Sequence, residues 1–212
     1  MKPSVNSVEY KSAISVKRMR ESDEYTINNF TDSKTLMYRA AMGIYNSAVW
    51  SGKRIAIVTG SGNNGGDGYA LACILADSDI FADVYRASER FSDDGRHYYD
   101  IAVSKGAKDI PFTQGTSLNG YDVVVDCLLG TGFCGEPRGI IADAIRLINA
   151  SGAYVISADI NSGINGDTGE AILAVKSDLT VSIGFYKTGM FLGDAPSLIG
   201  DLVNVDIGII LI

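Results

Sequence analysis

Three acidic residues stand among glycines and amides just past apolar runs, a setting suited to holding an anion or a small cation and to moving a proton. Asp67 closes Asn63-Asn-Gly-Gly-Asp67, Asp126 opens Asp126-Cys-Leu-Leu-Gly-Thr-Gly-Phe-Cys-Gly-Glu136, and Asp159 opens Asp159-Ile-Asn-Ser-Gly163. Glycines let backbone N–H groups approach an anion, and a helix start adds partial positive charge. Gly60, Gly62 and Gly65 satisfy G-x-G-x-x-G, a pattern that a tight strand–helix turn without any ligand satisfies as well. Asn63, Asn64 and Asp67 sharpen it, because three polar side chains in one turn need partners. Asp126 and Asp159 each suit a metal ligand, a ribose anchor or a general acid/base, or the plainer job of capping a neighbouring helix or turn. Lys187, in Gly184-Phe-Tyr-Lys-Thr-Gly-Met190, either reaches the same place or is an exposed loop lysine.

Several other chemistries lack their parts. The one histidine, His97, lies between Arg96 and Tyr98 in a helical stretch and reads as a surface residue. Ser-His-Asp and Cys-His mechanisms are thus left without a base. Cys73 falls in an apolar helix, while Cys127 and Cys134 lack zinc-type spacing. Asn, Asp, Ser and carbonyl oxygens suit a hard cation, and with few carboxylates in reach a monovalent ion fits at least as well as magnesium.

Strands must bring these residues together. Ile55–Thr59, Ala82–Arg86, Asp122–Cys127, Tyr154–Ala158, Leu179–Ile183 and Leu202–Val205 read as strands, some of them continuously apolar as at Val123-Val-Val125 and Val155-Ile156. Helices are expected over Gly68–Asp77, Asp93–Lys105 and Arg138–Asn149, with two more, Ile14–Tyr25 and Ser33–Trp50, ahead of the first strand. Alternating strands and helices predict a parallel sheet covered on both faces, in which ligands bind beyond the carboxyl ends of the strands. The polar motifs follow strands as that rule requires. Phe81-Ala-Asp-Val-Tyr-Arg86 ends on arginine about where an NAD-binding domain carries its acidic ribose anchor. Arg86 there suits either a 2′-phosphate or solvent.

The 212 residues suit one domain, and the net charge of −7 argues against a nucleic-acid surface. Lys17, Arg18 and Arg20, followed by Glu21, Asp23 and Glu24, read as a solvated helix face. No apolar run approaches membrane-spanning length, and three cysteines fit a reducing compartment, so a cytoplasmic protein is expected. The first ten residues read as a loose arm, and Ile207–Ile212 as a terminal strand. Leu36, Met37, Ile44 and Tyr45 form an apolar stripe that suggests a homodimer through the N-terminal helices.

The motifs, taken in order, resemble the YjeF amino-terminal domain family. The resemblance runs from Met19-Arg-Glu-Ser-Asp-Glu-Tyr25 and Leu36-Met-Tyr-Arg-Ala-Ala41 through Gly62–Gly68, Asp126–Gly132, Asp159–Gly163 and Lys187-Thr-Gly189 to Gly200–Gly208. It implies a single domain over residues 1–212, a Rossmann-like three-layer α/β/α sandwich with a mainly parallel sheet and extra N-terminal helices. It also implies an NAD(P)H-hydrate epimerase, which interconverts the R and S forms of hydrated NADH and NADPH (NAD(P)HX) at C6 of the nicotinamide ring. An ATP- or ADP-dependent dehydratase is then the functional partner that repairs the S form. By motif, Asn63, Asn64, Gly65, Gly66 and Asp67 would contact the substrate, and Asn64, Asp126 and Ser162 would hold potassium (K+). Gly130, Thr131, Gly132, Phe133, Cys134, Gly135 and Glu136 would wrap the phosphates, with Asp159 near the ring.

The sequence departs from the family at two places. Asn161 stands where the family has proline, which suggests a looser loop around Asp159 and Ser162. Phe133-Cys134 replaces a commoner Leu-Arg-type pair, removing a phosphate partner. C6 of the hydrated ring is a hemiaminal, so epimerisation needs the hydroxyl expelled as water and returned to the other face. Asp159 is expected to move the protons, with Lys187 assisting. The alternative is a non-catalytic nucleotide-binding or dimeric scaffold module of the same fold.

Overall fold

The computed structural model describes residues 12–212, so the arm expected of the first ten residues lies outside it. Two helices precede the sheet. The Ser15 and Asp32 side chains accept the backbone N–H groups of Arg18 and Thr35, and this capping starts α1 (Val16–Asn29) and α2 (Ser33–Asn46). The second helix stops before the expected Trp50. There the indole turns back, donating from Nε1 to the Tyr45 carbonyl at 2.7 Å and stacking on the Tyr45 ring.

Seven strands follow: β1 (Ile55–Thr59), β2 (Ala82–Arg86), β3 (Lys108–Pro111), β4 (Val123–Cys127), β5 (Tyr154–Ala158), β6 (Leu179–Ile183) and β7 (Asp201–Val205). They form one sheet in the order β3-β2-β1-β4-β5-β6-β7, and every pairing is parallel. Between them run α3 (Asn63–Asp77), α4 (Asp93–Ser104), α5 (Gly139–Ala150), a 3-10 turn (Thr188–Phe191) and α6 (Ala195–Leu198). Both faces are covered, which is why apolar residues run consecutively in β1 and in Val123–Val125 of β4. Ile55 and Ile57 of β1 point into one core layer with α2, α3 and α4, while Ala56 and Val58 point into the other with Ala144, Ile145 and Ile148 of α5. Four strands match the expected ranges residue for residue; β3 has no counterpart among them.

One expectation is corrected here, and another loses the ground it stood on. Ile207–Ile212 is not a strand. Ile207 and Ile209 are buried in the core, and the segment lies along α1: the Ile210 and Ile212 N–H groups donate to Thr26 Oγ1 and Ser22 Oγ, and Arg18 Nε donates to the Ile212 carbonyl. Leu36, Met37 and Ile44 are buried within the domain and Tyr45 is packed against the same core. The stripe that suggested a homodimer is therefore covered by the chain itself. Among the described residues no helix is long and apolar enough to cross a membrane.

Candidate functional site

The strand order grows outward from β1 to β3, then restarts at β4 on the other side of β1. Such a switch point leaves a crevice at the carboxyl ends of the strands. A cavity of about 620 Å³ lies there, walled by α1, α2, the start of α3, the loop after β4, and Asp159 beyond β5. Of the expected substrate residues, Asn63, Asn64, Asp67, Gly130, Thr131, Gly132, Phe133 and Asp159 line it. Gly65, Gly66, Cys134, Gly135 and Glu136 do not.

Helix α3 begins at Asn63, five residues before the expected start, so most of the glycine run is helical rather than an open turn. A Cβ on Gly65 would collide with the Gly60 carbonyl oxygen, and one on Gly66 would stand 2.5 Å from Met37 Cε. Those glycines permit close packing of the helix on its neighbours. Gly62, the N-cap, offers no side-chain cap, so the first-turn N–H groups of α3 have no such partner where the helix opens onto the cavity.

Beneath this rim the expected cation ligands are linked. Asp126, fully buried, accepts from Ser162 Oγ (2.5 Å), the Ser162 and Leu128 N–H groups (2.9 and 3.2 Å) and Ser157 Oγ (2.9 Å). Burial pushes its carboxyl up, and these donors pull the other way. Leu129 bridges the three residues: its N–H donates to Ser162 Oγ at 2.8 Å and its carbonyl accepts from Asn64 Nδ2 at 2.9 Å. Asn64 Oδ1 is, among the described residues, the single buried side-chain polar atom without a hydrogen-bond partner. An orphaned amide oxygen beside a buried carboxylate fits a cation held by oxygen alone.

Lys187 is not an exposed loop lysine. Its side chain is 1% exposed, its Nζ pairs with Asp159 Oδ1, and it donates to the Ile183 carbonyl at 2.8 Å. Asp159 has φ 65°, a left-handed conformation that Asp tolerates better than most residues, and such strain gathers at functional sites. Its Oδ2 lies near Gly130, 3.5 Å from where a Cβ there would stand. Asn161 does not loosen this loop. Wholly buried, its Nδ2 donates to the carbonyls of Val175 (3.0 Å) and Leu198 (3.2 Å) and to Ser177 Oγ (2.9 Å), and its Oδ1 accepts from Thr180 Oγ1 at 2.6 Å. The amide fastens the turn through contacts that a proline ring lacks.

Asp23 and Arg20 were read as a solvated face, yet both line the cavity. Burial, then the charge of Asp159, push the Asp23 carboxyl up to about 6, against the pull of Lys187. Asp67 is driven well above the usual carboxylate range by burial, with Asp159 and Asp23 adding to it. The signal was present in the spacing: Met19, Arg20, Asp23 and Ile27 fall on one helical stripe, and Met19 is buried. Arg86 takes neither expected role. It is buried, with Nε and Nη2 each 3.1 Å from the Asp109 carboxylate and Nη1 2.6 Å from Glu89. His97 is exposed, as expected.

Comparison with known proteins gives one answer. Residues 33–189 match the family described as the YjeF-related protein N-terminus. The NAD(P)H-hydrate epimerase of Oenococcus oeni is 34% identical over 205 residues, covering 92% of this chain and 96% of that protein. The bifunctional NAD(P)H-hydrate repair enzyme Nnr of Coxiella burnetii is 32% identical over 199 residues, which are 91% of this chain and 41% of that protein. The crystal structure of yeast ynu0, YNL200c, superposes with a TM-score of 0.73 at 18% identity over 91% of this chain and 86% of the yeast chain, a likeness of fold.

Proposed function

The chain belongs to the YjeF-related N-terminal family, and from that premise we propose that it is an isomerase interconverting the R and S forms of hydrated NADH and NADPH at C6 of the nicotinamide ring. One observation carries the reading: the Asp159–Lys187 pair stands at a switch-point cavity onto which an uncapped helix start also opens. A carboxylate for proton transfer and a backbone receptive to phosphate thus share one cleft. Its volume falls within the usual range for small-molecule sites.

The substrate pyrophosphate fits against the first turn of α3 and the Gly130–Phe133 loop. Arg20 is the only basic side chain among the lining residues, and its Nη2 lies 3.9 Å from where a Cβ on Gly132 would stand. It supplies the phosphate-binding cation that Phe133-Cys134 lacks. At the ring, Asp159 exchanges protons with the C6 hydroxyl, so that nitrogen's lone pair can expel it as water. Lys187 touches Asp159 and the Ile183 carbonyl, and so fixes where that carboxylate points.

Asn64, Asp126 and Ser162 would hold potassium, which suits oxygen donors carrying one formal charge better than a divalent ion does. When bound, the ion supplies positive charge against the buried carboxylate of Asp126. The S form is the substrate of a dehydratase, and relatives named as bifunctional repair enzymes support that partnership. Three free cysteines, two of them buried, suit the reducing cytoplasm. The test is chiral chromatography of an R-enriched hydrate with and without the protein at varied potassium. The S form should accumulate faster than the spontaneous rate; equality with that rate at every potassium level would overturn the reading.

A further inference from the structure

We propose that Asp23 is a second catalytic acid/base, acting on the face of the ring opposite Asp159; the inference rests on the epimerase reading above. Epimerisation at C6 removes the hydroxyl from one face and returns it to the other. A single carboxylate, held in a fixed turn and paired with Lys187, reaches one face only. The cavity offers a carboxylate on each of two walls: Asp159 from just beyond the carboxyl end of β5, and Asp23 from the α1 stripe that also presents Met19 and Arg20. That stripe is fixed in place. Met19 is buried, with Cε 2.8 Å from where a Cβ on Gly184 would stand, and the Val16 N–H donates to Asp167 Oδ1 at 2.7 Å.

Asp23 has no hydrogen-bond or ion-pair partner among the described residues, so its carboxyl is free to serve the ligand. The charged groups around it are Arg20 one turn earlier, Asp67 of α3, Asp94 of α4, Asp159 and Lys187. Burial first, then the charge of Asp159, push the Asp23 carboxyl up to about 6 against the pull of Lys187, so it keeps a proton nearer neutrality than an ordinary aspartate does. Paired carboxylates in unlike environments are a common way to divide acid and base roles.

In one direction Asp23 gives its proton to the C6 hydroxyl. The C6–O bond breaks, its electron pair leaves with water, and the ring-nitrogen lone pair forms the C=N bond of an iminium. On the opposite face a water oxygen forms the new C6–O bond while Asp159 takes one of its protons, and the C=N electron pair returns to nitrogen. One proton has passed from Asp23 to Asp159, and the hydroxyl oxygen now comes from solvent. The reverse reaction uses the same singly protonated pair with the roles exchanged, and exchange with water resets it.

The experiment starts from the R form, freed of S by a dehydratase, and follows S by chiral chromatography from about pH 5 to about pH 9. Wild-type kcat/KM should fall as pH rises through about 6, because Asp23 must hold its proton. Asp23→Asn should lower kcat by about 100-fold or more, leave KM within a few-fold, and abolish that descending limb. Asp23→Glu should restore part of the rate and a displaced limb. An Asn variant with wild-type kcat and the limb intact would overturn the inference and leave the epimerase standing, whereas an inactive wild type would overturn the epimerase itself. Should the Asn variant fail to fold, the Glu variant decides: a displaced limb supports the role and an unmoved one refutes it.

Discussion

At the β2–β3 edge of the sheet, the Arg86 guanidinium forks onto Asp109, meets the exposed Glu89, and lies 5.9 Å from the centroids of the Phe91 and Tyr99 rings. At the cavity Lys187 is buried still more deeply and pairs with Asp159, but Asp23 and Asp67 share its field. In the first region every donor has an acceptor, and the second carboxylate stands in solvent. In the second, one ammonium faces three carboxylates, two of which are pushed toward their protonated forms. A matched buried pair fastens structure; a surplus of acids around one cation stores protons where a ligand can use them. The contrast agrees with the chemistry proposed for the cavity and with a fastening role for Arg86.

The contrast predicts opposite consequences for loss at each place. The largest effect is on rate: Asp159→Asn should cut the turnover of its folded fraction by about 100-fold or more. Chromatographic rates and a thermal melt on the same sample check it, and a variant with full turnover would reduce the Lys187 pair to a fastening like the other. Next comes stability. Arg86→Leu strands Asp109, which also accepts from the Tyr99 hydroxyl at 3.0 Å, and should lower unfolding free energy by about 3 kcal/mol in a denaturant titration. The turnover of its folded fraction should not change; a rate loss matching that of Asp159→Asn would place Arg86 in the site after all.

The smallest effect tests the surplus acids directly. Asp67 has a raised value in the folded state, so its folded form resists ionisation and is most favoured at low pH. That stability is fully present below the ordinary carboxylate range and is lost as pH rises through the raised value. Asp67→Asn should therefore melt a few degrees higher than wild type near pH 8, with the gain vanishing in acid. A gain independent of pH would mean that the charge on Asp67 is not what the site strains to hold.

The central strands were legible because both of their faces are buried, so β1, β5 and β6 carry runs of apolar and small hydroxyl residues and no charge. Strand β3 was not, since Lys108-Asp-Ile-Pro111 is a short edge strand with exposed ends and carries no such run. Ile207–Ile212 misled for the opposite reason: its isoleucines are apolar enough for a strand, but hydroxyls of α1 capture two of its N–H groups. Motif order singled out Asn64 and Asp159, which line one crevice, and Asp126 and Ser162, which the fold links to Asn64 beneath it. Arg20 and Asp23 escaped notice because neighbouring charges of both signs imitate a solvated face, and only the buried Met19 shows which side turns inward. Asn161 was misjudged because a backbone rule was applied to a residue whose side chain is the anchor.

At φ 65°, position 159 answers to two masters. The bend of the chain admits glycine freely and asparagine or aspartate with little cost, and resists other side chains. The proton exchange proposed for it admits, of those three, aspartate alone. A descendant that abandoned the reaction and kept the fold would be released from the second demand but not the first. Drift would carry it to asparagine or glycine rather than to glutamate or serine, leaving in its gene a fossil by which the lost activity is read.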